Sequence, residues 1–307
     1  MTSVSYESKI DRQMKAFIDQ ASQFSRNPPK INLVDIRKAY LKASIRLRSN
    51  RPSTVKVKNW SISNSNNKIN LRIYRACKSS DVQIIYLHGG GFIMGNLETD
   101  DDICRDICEL SHMDVIAIDY RLSPENKFPA AYEDALICFE NLIKIKPVIL
   151  IGHSSGGTLA AMISQKTKKK FSGLLGQVLI YPYLGGNIKK GSYITHSNAP
   201  LLTTKEMQFF LSCWLVSKRD FSHLPLNQKS FKHLAPTIIL TADLDPLRDD
   251  GIQYARRIKA EKGSCHHIVG KGLVHGFIRA RHTSKKANKN FLEMIEEIKK
   301  LEKSFLG

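Results

Sequence analysis

The chain has 307 residues, of which 42% are hydrophobic and 24% are charged, and it carries a formal net charge of +19. These fractions match ordinary soluble domains and exclude a disordered chain, a collagen-like repeat and a disulfide scaffold. The length fits one α/β domain with insertions, and no apolar run reaches the roughly 18 residues that span a bilayer.

The positive charge is spread over several lysine clusters without interleaved aromatic residues. A surface that stacks nucleic-acid bases needs such aromatic residues, so we expect no nucleic-acid partner. The basic surface is expected to be solvated, with at most a weak contact to anionic membrane surfaces. Six cysteines without zinc spacing predict free thiols. Charged residues such as Glu7 and Lys9 interrupt any signal-sequence core, so the expected location is cytoplasmic.

The first predicted elements are a helix and a hairpin. Apolar residues recur at helical spacing over about 6–25, until Pro28 and Pro29 end the pattern. Two stretches of alternating residues, 54–62 and 68–74, are separated by a segment rich in serine and asparagine. This pattern predicts two antiparallel strands at the edge of a sheet.

From residue 82 onwards, apolar strands alternate with helical stretches. This alternation predicts a mostly parallel, doubly wound central sheet flanked by helices. The predicted strands are 82–87, 115–119, 148–151, 178–181, 237–241 and 266–269. The predicted helices are 101–111, 130–145, 156–167, 250–262 and 290–301.

One interval, about 183–234, breaks this alternation and carries an amphipathic run with aromatic residues. We predict that it is a helical insertion in a catalytic domain of residues 46–307. Together with an N-terminal helical segment, residues 1–45, it is expected to form a cap. These two segments are called the cap segments below.

The sharpest local motif runs from Gly152 through Ser154 to Gly156. It has the form G-x-S-x-G, and it lies between a predicted strand and a predicted helix. Glycine on both sides allows the chain to reverse sharply and to hold the serine in a strained, exposed position. The context predicts that Ser154 is a nucleophile.

A second motif, His88-Gly89-Gly90-Gly91-Phe92, follows the predicted strand 82–87. Three successive glycines leave backbone N–H groups uncovered by side chains. Donors of this kind suit an oxyanion hole, which stabilises the negative charge that develops on a carbonyl oxygen during acyl transfer.

A serine hydroxyl needs a histidine base, and that base needs a carboxylate to fix its tautomer. His275 follows the last predicted strand and lies between small and apolar neighbours, whereas His266 and His267 lie within that strand. The residues alone do not choose among four candidate acids after strand 237–241, which are Asp243, Asp245, Asp249 and Asp250. The order serine, aspartate, histidine is the one found in α/β-hydrolases.

With these motifs in hand, the chain resembles the hormone-sensitive-lipase-like family of esterases. The likeness runs from about residue 82 to residue 277 and implies an α/β-hydrolase fold with a helical cap. Five motifs in the family's order carry it: 88–92, 119–125 with 128–131, 152–157, 245–249 and 275–277.

The resemblance also implies site residues and partners. It selects Asp245 as the acid, because the family's aspartate opens the Asp-Pro-Leu-Arg-Asp string. It implies oxyanion donation by the N–H groups of Gly89, Gly90 and Ser155. It further implies a small-molecule ester substrate, no metal or cofactor, and a homodimer as one expected assembly.

Two positions next to the nucleophile depart from the family. His153 stands where the family usually has an aspartate, and Ser155 stands where it usually has an alanine. On so tight a turn we expect His153 to point away from Ser154 and to act in packing or hydrogen bonding. Arg121 and Glu125 are expected to form structural ion pairs.

The function expected from these residues is that of a serine carboxylesterase acting on short to medium acyl chains through an acyl-enzyme. An amidase or a lactonase with the same triad is an alternative, because the acyl chemistry is shared. A ligand-binding receptor on this fold is a further alternative. The plant gibberellin receptors resemble this family but lack the catalytic histidine, whereas His275 is present here.

Overall fold

The computed structural model describes residues 6–22, 32–48, 54–63, 68–78, 80–168, 170–216 and 222–306. Within these ranges the centre of the molecule is an eight-stranded sheet. Its strands are β1 (Lys56–Ser63), β2 (Lys68–Arg75), β3 (Gln83–Leu87), β4 (Asp114–Asp119), β5 (Val148–His153), β6 (Leu174–Ile180), β7 (Thr237–Leu244) and β8 (Cys265–Val274).

The strand order across the sheet is β1-β2-β4-β3-β5-β6-β7-β8. Strand β2 pairs antiparallel with β1 and with β4, and all other pairs are parallel. The predicted edge hairpin and the predicted mostly parallel sheet are therefore confirmed. Every residue of β3 and of β5 is buried, as expected for central strands covered on both faces.

Helices cover both faces of the sheet. The helices are α1 (Arg12–Ser22), α2 (Leu33–Arg46), α3 (Asp101–Ser111), α4 (Ala130–Leu142), α5 (Ser155–Thr167), α6 (Ser192–Thr195), α7 (Thr204–Trp214), α8 (Arg248–Ala260) and α9 (Lys285–Leu306). One face of the sheet packs against α4, α5 and α8 together with residues of the 183–234 cap segment. The other face packs against α1, α3 and α9. Two 3₁₀ turns span Pro225–Asn227 and Phe277–Ala280.

The N-terminal helix differs in part from its prediction. Helix α1 begins at Arg12, and its apolar residues Met14 and Phe17 are buried in the core beneath α3 and α9. Its predicted end at Pro28 and Pro29 lies outside the described residues. The apolar side of α1 therefore packs on the protein itself.

Helix α2 was not predicted. Only Ser44 among its residues is fully buried, and its apolar residues include the exposed Val34 and Ile45, so they do not form one clear stripe. Its start is marked instead by Asn32, whose side chain accepts a hydrogen bond from the Val34 N–H. This capping signal was available in the sequence.

Strands β7 and β8, which precede candidate catalytic residues, are longer than predicted. Strand β7 continues to Leu244 and β8 continues to Val274, so each ends directly before a candidate catalytic residue. Between β6 and β7 the structure contains α6, α7 and the turn Pro225–Asn227. In the described part of the chain, no helix has both the length and the apolar character needed to cross a membrane.

Candidate active site

Ser154 occupies the sharp turn between β5 and α5. Its φ of 52° places it in the left-handed region, where a residue with a side chain is strained. A methyl group on Gly152 or on Gly156 would overlap nearby backbone atoms. The motif therefore needs glycine at both positions for the serine to project from the end of the strand.

Ser154, His275 and Asp245 form one continuous chain of hydrogen bonds. His275 Nε2 lies 3.0 Å from Ser154 Oγ, and His275 Nδ1 lies 2.7 Å from Asp245 Oδ2. The carboxylate of Asp245 is completely buried, and its other oxygen accepts from the Leu247 N–H at 2.9 Å. The Tyr181 ring packs against the His275 ring with centroids 4.6 Å apart. Both side chains of the His–Asp pair are thereby held in orientation.

The other three candidate acids bind elsewhere. Asp243 lies within β7 and is 40% exposed at its side chain. Asp249 accepts from the Ser192 N–H and pairs with Arg248. Asp250 is buried and accepts from the backbone of the 183–234 cap segment. Asp245 alone among the four contacts His275 in the described residues.

The glycine-rich loop differs from the expectation at one residue. The Gly89 N–H is directed at His153 Nε2, 2.8 Å away, so the histidine ring blocks it from a substrate oxygen. The assignment of Gly89 as an oxyanion donor is therefore wrong for this structure. The N–H groups of Gly90, Gly91 and Ser155 have no acceptor among the described residues. The Gly91 N–H is a candidate donor that sequence reasoning missed.

Helix α7, in the 183–234 cap segment, packs directly on this loop. The Phe92 ring stacks on Trp214 with centroids 3.7 Å apart. A methyl group on Gly91 would lie 2.6 Å from the ring of the half-buried Phe210. Aromatic side chains of α7 thus lie beside the backbone donors.

His153 points away from Ser154, as expected. Its Nε2 lies 2.7 Å from Asp100 Oδ2, and Asp100 also forms an ion pair with Arg279. Sequence reasoning did not identify Asp100 or Arg279, because they are distant in the chain from each other and from His153.

The expected structural ion pairs are present. Arg121 pairs with Asp134 at 2.9 Å, and Glu125 pairs with Arg37 at 2.7 Å. Neither pair includes Ser154, His275 or Asp245.

Within the described ranges, no group of three or more histidine, cysteine, aspartate or glutamate side chains has a geometry that could hold a metal ion. All six cysteines are free thiols.

Residues 84–279 match the model of an α/β-hydrolase fold family. The chain belongs to this family. It is 26% identical over 245 residues to ethyl acetate hydrolase of Pseudomonas putida, a match that covers 74% of this chain and 77% of that protein. It is 32% identical over 209 residues to esterase LipI of Mycobacterium tuberculosis, covering 64% of this chain and 65% of LipI.

Solved structures of esterases resemble this chain over most of its length. A hyperthermophilic esterase from Pyrobaculum calidifontis superposes with a TM-score of 0.88 at 28% identity, covering 95% of this chain and 99% of that chain. The thermostable carboxylesterase EstE1 superposes with a TM-score of 0.83 at 29% identity, covering 88% and 98%. These relatives confirm the α/β-hydrolase fold, the resemblance to the hormone-sensitive-lipase-like esterases, and a carboxylic ester hydrolase activity.

Proposed function

We propose that the protein is a serine carboxylesterase that cleaves short to medium chain acyl esters, with Ser154 as nucleophile, His275 as general base and Asp245 as the acid that orients it. The observation that carries this proposal is the unbroken series of hydrogen bonds from Ser154 Oγ through His275 to Asp245. A serine hydroxyl becomes an effective nucleophile when such a histidine removes its proton.

The reaction has two halves. Ser154 Oγ attacks the ester carbonyl carbon while His275 Nε2 takes the hydroxyl proton. The tetrahedral intermediate collapses as His275 returns that proton to the departing alcohol, which leaves an acyl-serine. Water, deprotonated by the same nitrogen, then attacks the acyl carbonyl, and the acid leaves as Ser154 recovers its proton.

The negative charge on the carbonyl oxygen needs donors that are oriented before the reaction. The unoccupied N–H groups of Gly90, Gly91 and Ser155 fit this role, because two come from one tight loop and the third begins α5 next to the nucleophile. Removing one donor of this kind costs about a hundredfold or more in rate.

The acyl chain is proposed to lie under α7. Phe210 borders the oxyanion loop, residues 88–92, at Gly91, and the neighbouring Phe92 stacks on the buried Trp214. Bulky aromatic rings beside the reacting carbonyl leave room for a modest apolar chain. This arrangement supports short to medium acyl groups, and it supports the two cap segments as the cover of the site.

Hydrolysis of p-nitrophenyl acetate, butyrate, octanoate and palmitate tests this proposal, with Ser154→Ala as the control. We expect acetate and butyrate to be cleaved fastest, and the variant to be inactive on every ester. A variant that retains activity would reject Ser154 as the nucleophile. Faster cleavage of an anilide or a lactone panel than of the esters would favour the amidase or lactonase alternative.

We further propose a homodimer, a weak contact with anionic surfaces and a cytoplasmic location. Exposed Val269 on the edge strand β8 and exposed Leu292 on α9 support the dimer, which sedimentation velocity tests.

The net charge of +19 supports the surface contact, which binding to phosphatidylserine vesicles at low salt tests. Free thiols support a reducing compartment, which microscopy of a fluorescent fusion tests.

A further inference from the structure

A second aspartate–histidine pair lies behind the nucleophile. Asp100 precedes α3 and is 2% exposed, and its Oδ2 lies 2.7 Å from His153 Nε2. His153 directly precedes Ser154. The other oxygen of Asp100 forms an ion pair with Arg279, which lies four residues beyond His275. A single carboxylate thus joins the segment that carries the nucleophile to the segment that carries the general base.

The oxyanion loop is attached to the same pair. The Gly89 N–H is directed at His153 Nε2, 2.8 Å away, and a methyl group on Gly89 would overlap the His153 ring. The Tyr86 hydroxyl, on the strand that leads into this loop, donates to Asp100 Oδ2 at 3.2 Å. The oxyanion loop therefore packs directly against the imidazole ring of His153.

Arg279 extends the connection to further elements. Its guanidinium donates to the Thr99 carbonyl oxygen at 2.7 Å and to the Tyr40 hydroxyl of α2 at 3.2 Å. Burial raises the pKa of the Asp100 carboxyl, but the neighbouring Arg279 and His153 lower it by more, so the pKa lies well below its usual value. Asp100 is consequently an ionised carboxylate that only accepts hydrogen bonds.

The two contacts of His153 Nε2 compete. A bond to ionised Asp100 requires a hydrogen on this nitrogen, whereas a bond from the Gly89 N–H requires its lone pair. One ring nitrogen satisfies one of these partners at a time. The amide of a glutamine carries both a donor and an acceptor at its end, so it can satisfy both partners together.

We infer that Asp100 and His153 are positioning residues for ester hydrolysis: the buried series Arg279, Asp100, His153 holds the oxyanion loop and the segments that carry Ser154 and His275 in one arrangement. This inference rests on the proposed function. A displacement of about 1 Å between catalytic groups costs on the order of a hundredfold in rate. The effect should therefore appear in kcat rather than in KM.

The matched pair for the test is Asp100→Asn and Asp102→Asn. Asp102 lies two residues after Asp100, in the first turn of α3, and its carboxylate binds Arg281 at 2.6 Å, two residues beyond Arg279. In the described chain it contacts neither His153 nor Gly89. Both variants weaken a buried ion pair to the same segment, so both should lower the melting temperature.

The measurement is kcat and KM for p-nitrophenyl butyrate together with the melting temperature. We expect Asp100→Asn to lose about ten- to a hundredfold in kcat with little change in KM, and Asp102→Asn to keep kcat. Equal kcat losses in the two variants, or no loss in Asp100→Asn, would overturn the inference.

A second pair decides the question if Asp100→Asn does not fold. His153→Leu fills the site with an apolar side chain and offers no hydrogen bond to Gly89 or Asp100, whereas His153→Gln offers both. We expect the leucine variant to lose kcat and the glutamine variant to retain most of it. Leucine and glutamine variants of equal kcat would overturn the inference. An inactive wild type in the same assay would instead reject the proposed function.

Discussion

Two aspartate–histidine pairs in the described residues have the same nitrogen–oxygen separation of 2.7 Å but different surroundings. Asp245 binds Nδ1 of His275, which leaves Nε2 to face Ser154 Oγ. Asp100 binds Nε2 of His153, and Nδ1 of that ring is buried without a partner. The capacity for proton transfer thus depends on which ring nitrogen is left free and on what it faces, not on the pairing itself.

The largest expected effect separates these two histidines. His275→Gln removes the general base, and loss of a triad member costs about 10⁴-fold or more in kcat. His153→Gln keeps a donor for Asp100 and an acceptor for the Gly89 N–H, and it replaces a ring that takes no proton from the serine. Steady-state kinetics with p-nitrophenyl butyrate compare the variants. Similar losses of kcat in both variants would contradict different roles for His275 and His153.

A smaller effect is expected in the oxyanion loop. Gly90 has a φ of 123°, and a methyl group there would overlap the Met94 carbonyl oxygen. Gly90→Ala should therefore displace the donors and lower kcat by about a hundredfold. Gly173→Ala is the control, because Gly173 pairs with Val148 at the start of β5, the end opposite Ser154, and its methyl group would lie 3.3 Å from the flexible Ile143 side chain. Full activity of Gly90→Ala would argue against this loop as the oxyanion site.

A third buried carboxylate, that of Asp250, differs from Asp100 in how it should affect stability. Burial raises the pKa of Asp250 from 3.8 to about 7, whereas Asp100 beside Arg279 stays ionised. Between about pH 4 and about pH 7 the native state keeps a proton on Asp250 that the unfolded state has lost. The contribution of Asp250 to stability therefore falls as the pH rises through this window.

Asp250→Asn should flatten that fall, which amounts to a few kcal/mol at most. Urea unfolding of wild type and variant at both ends of the window measures it. The control is Asp243→Asn, since that carboxylate is 40% exposed at its side chain. Parallel stability curves for wild type and Asp250→Asn would show that Asp250 titrates normally.

The smallest effect is expected for chain-length preference, from a substitution in α7. Phe210→Ala removes the ring that borders Gly91 and enlarges the proposed acyl site. The ratio of kcat/KM for octanoate to that for acetate should rise about three- to tenfold, as for a pocket that gains room for a few methylenes. Phe209→Ala, whose ring lies 6.0 Å from that of Phe210 on the same helix, is the matched control. An equal change in both variants would remove the special role of Phe210.

The fold and the triad were predictable because their signals are local. Strand, glycine turn and helix follow one another around Ser154, and β7 and β8 end directly before Asp245 and His275. The choice of Asp245 among four acids needed the family resemblance, since all four lie within one short stretch. Helix α2 was missed because its apolar residues are spread around the helix and do not form one clear stripe.

The remaining parts of the site depend on contacts between distant segments. Asp100 and Arg279 are 179 residues apart in the chain, so no periodicity or motif pairs them before the fold is known. The expectation for Gly89 failed for a related reason. The direction of its N–H is set by the His153 ring, which departs from the family's usual residue at that position.

The central claim is that Ser154, activated by His275, is the nucleophile. A fluorophosphonate reacts covalently with an activated serine, and mass spectrometry of the digested protein locates the adduct. We predict one adduct per chain, on Ser154, formed at a similar rate in His153→Gln and strongly slowed in His275→Gln. An adduct on another residue, or labelling that His275→Gln leaves unchanged, would contradict the account.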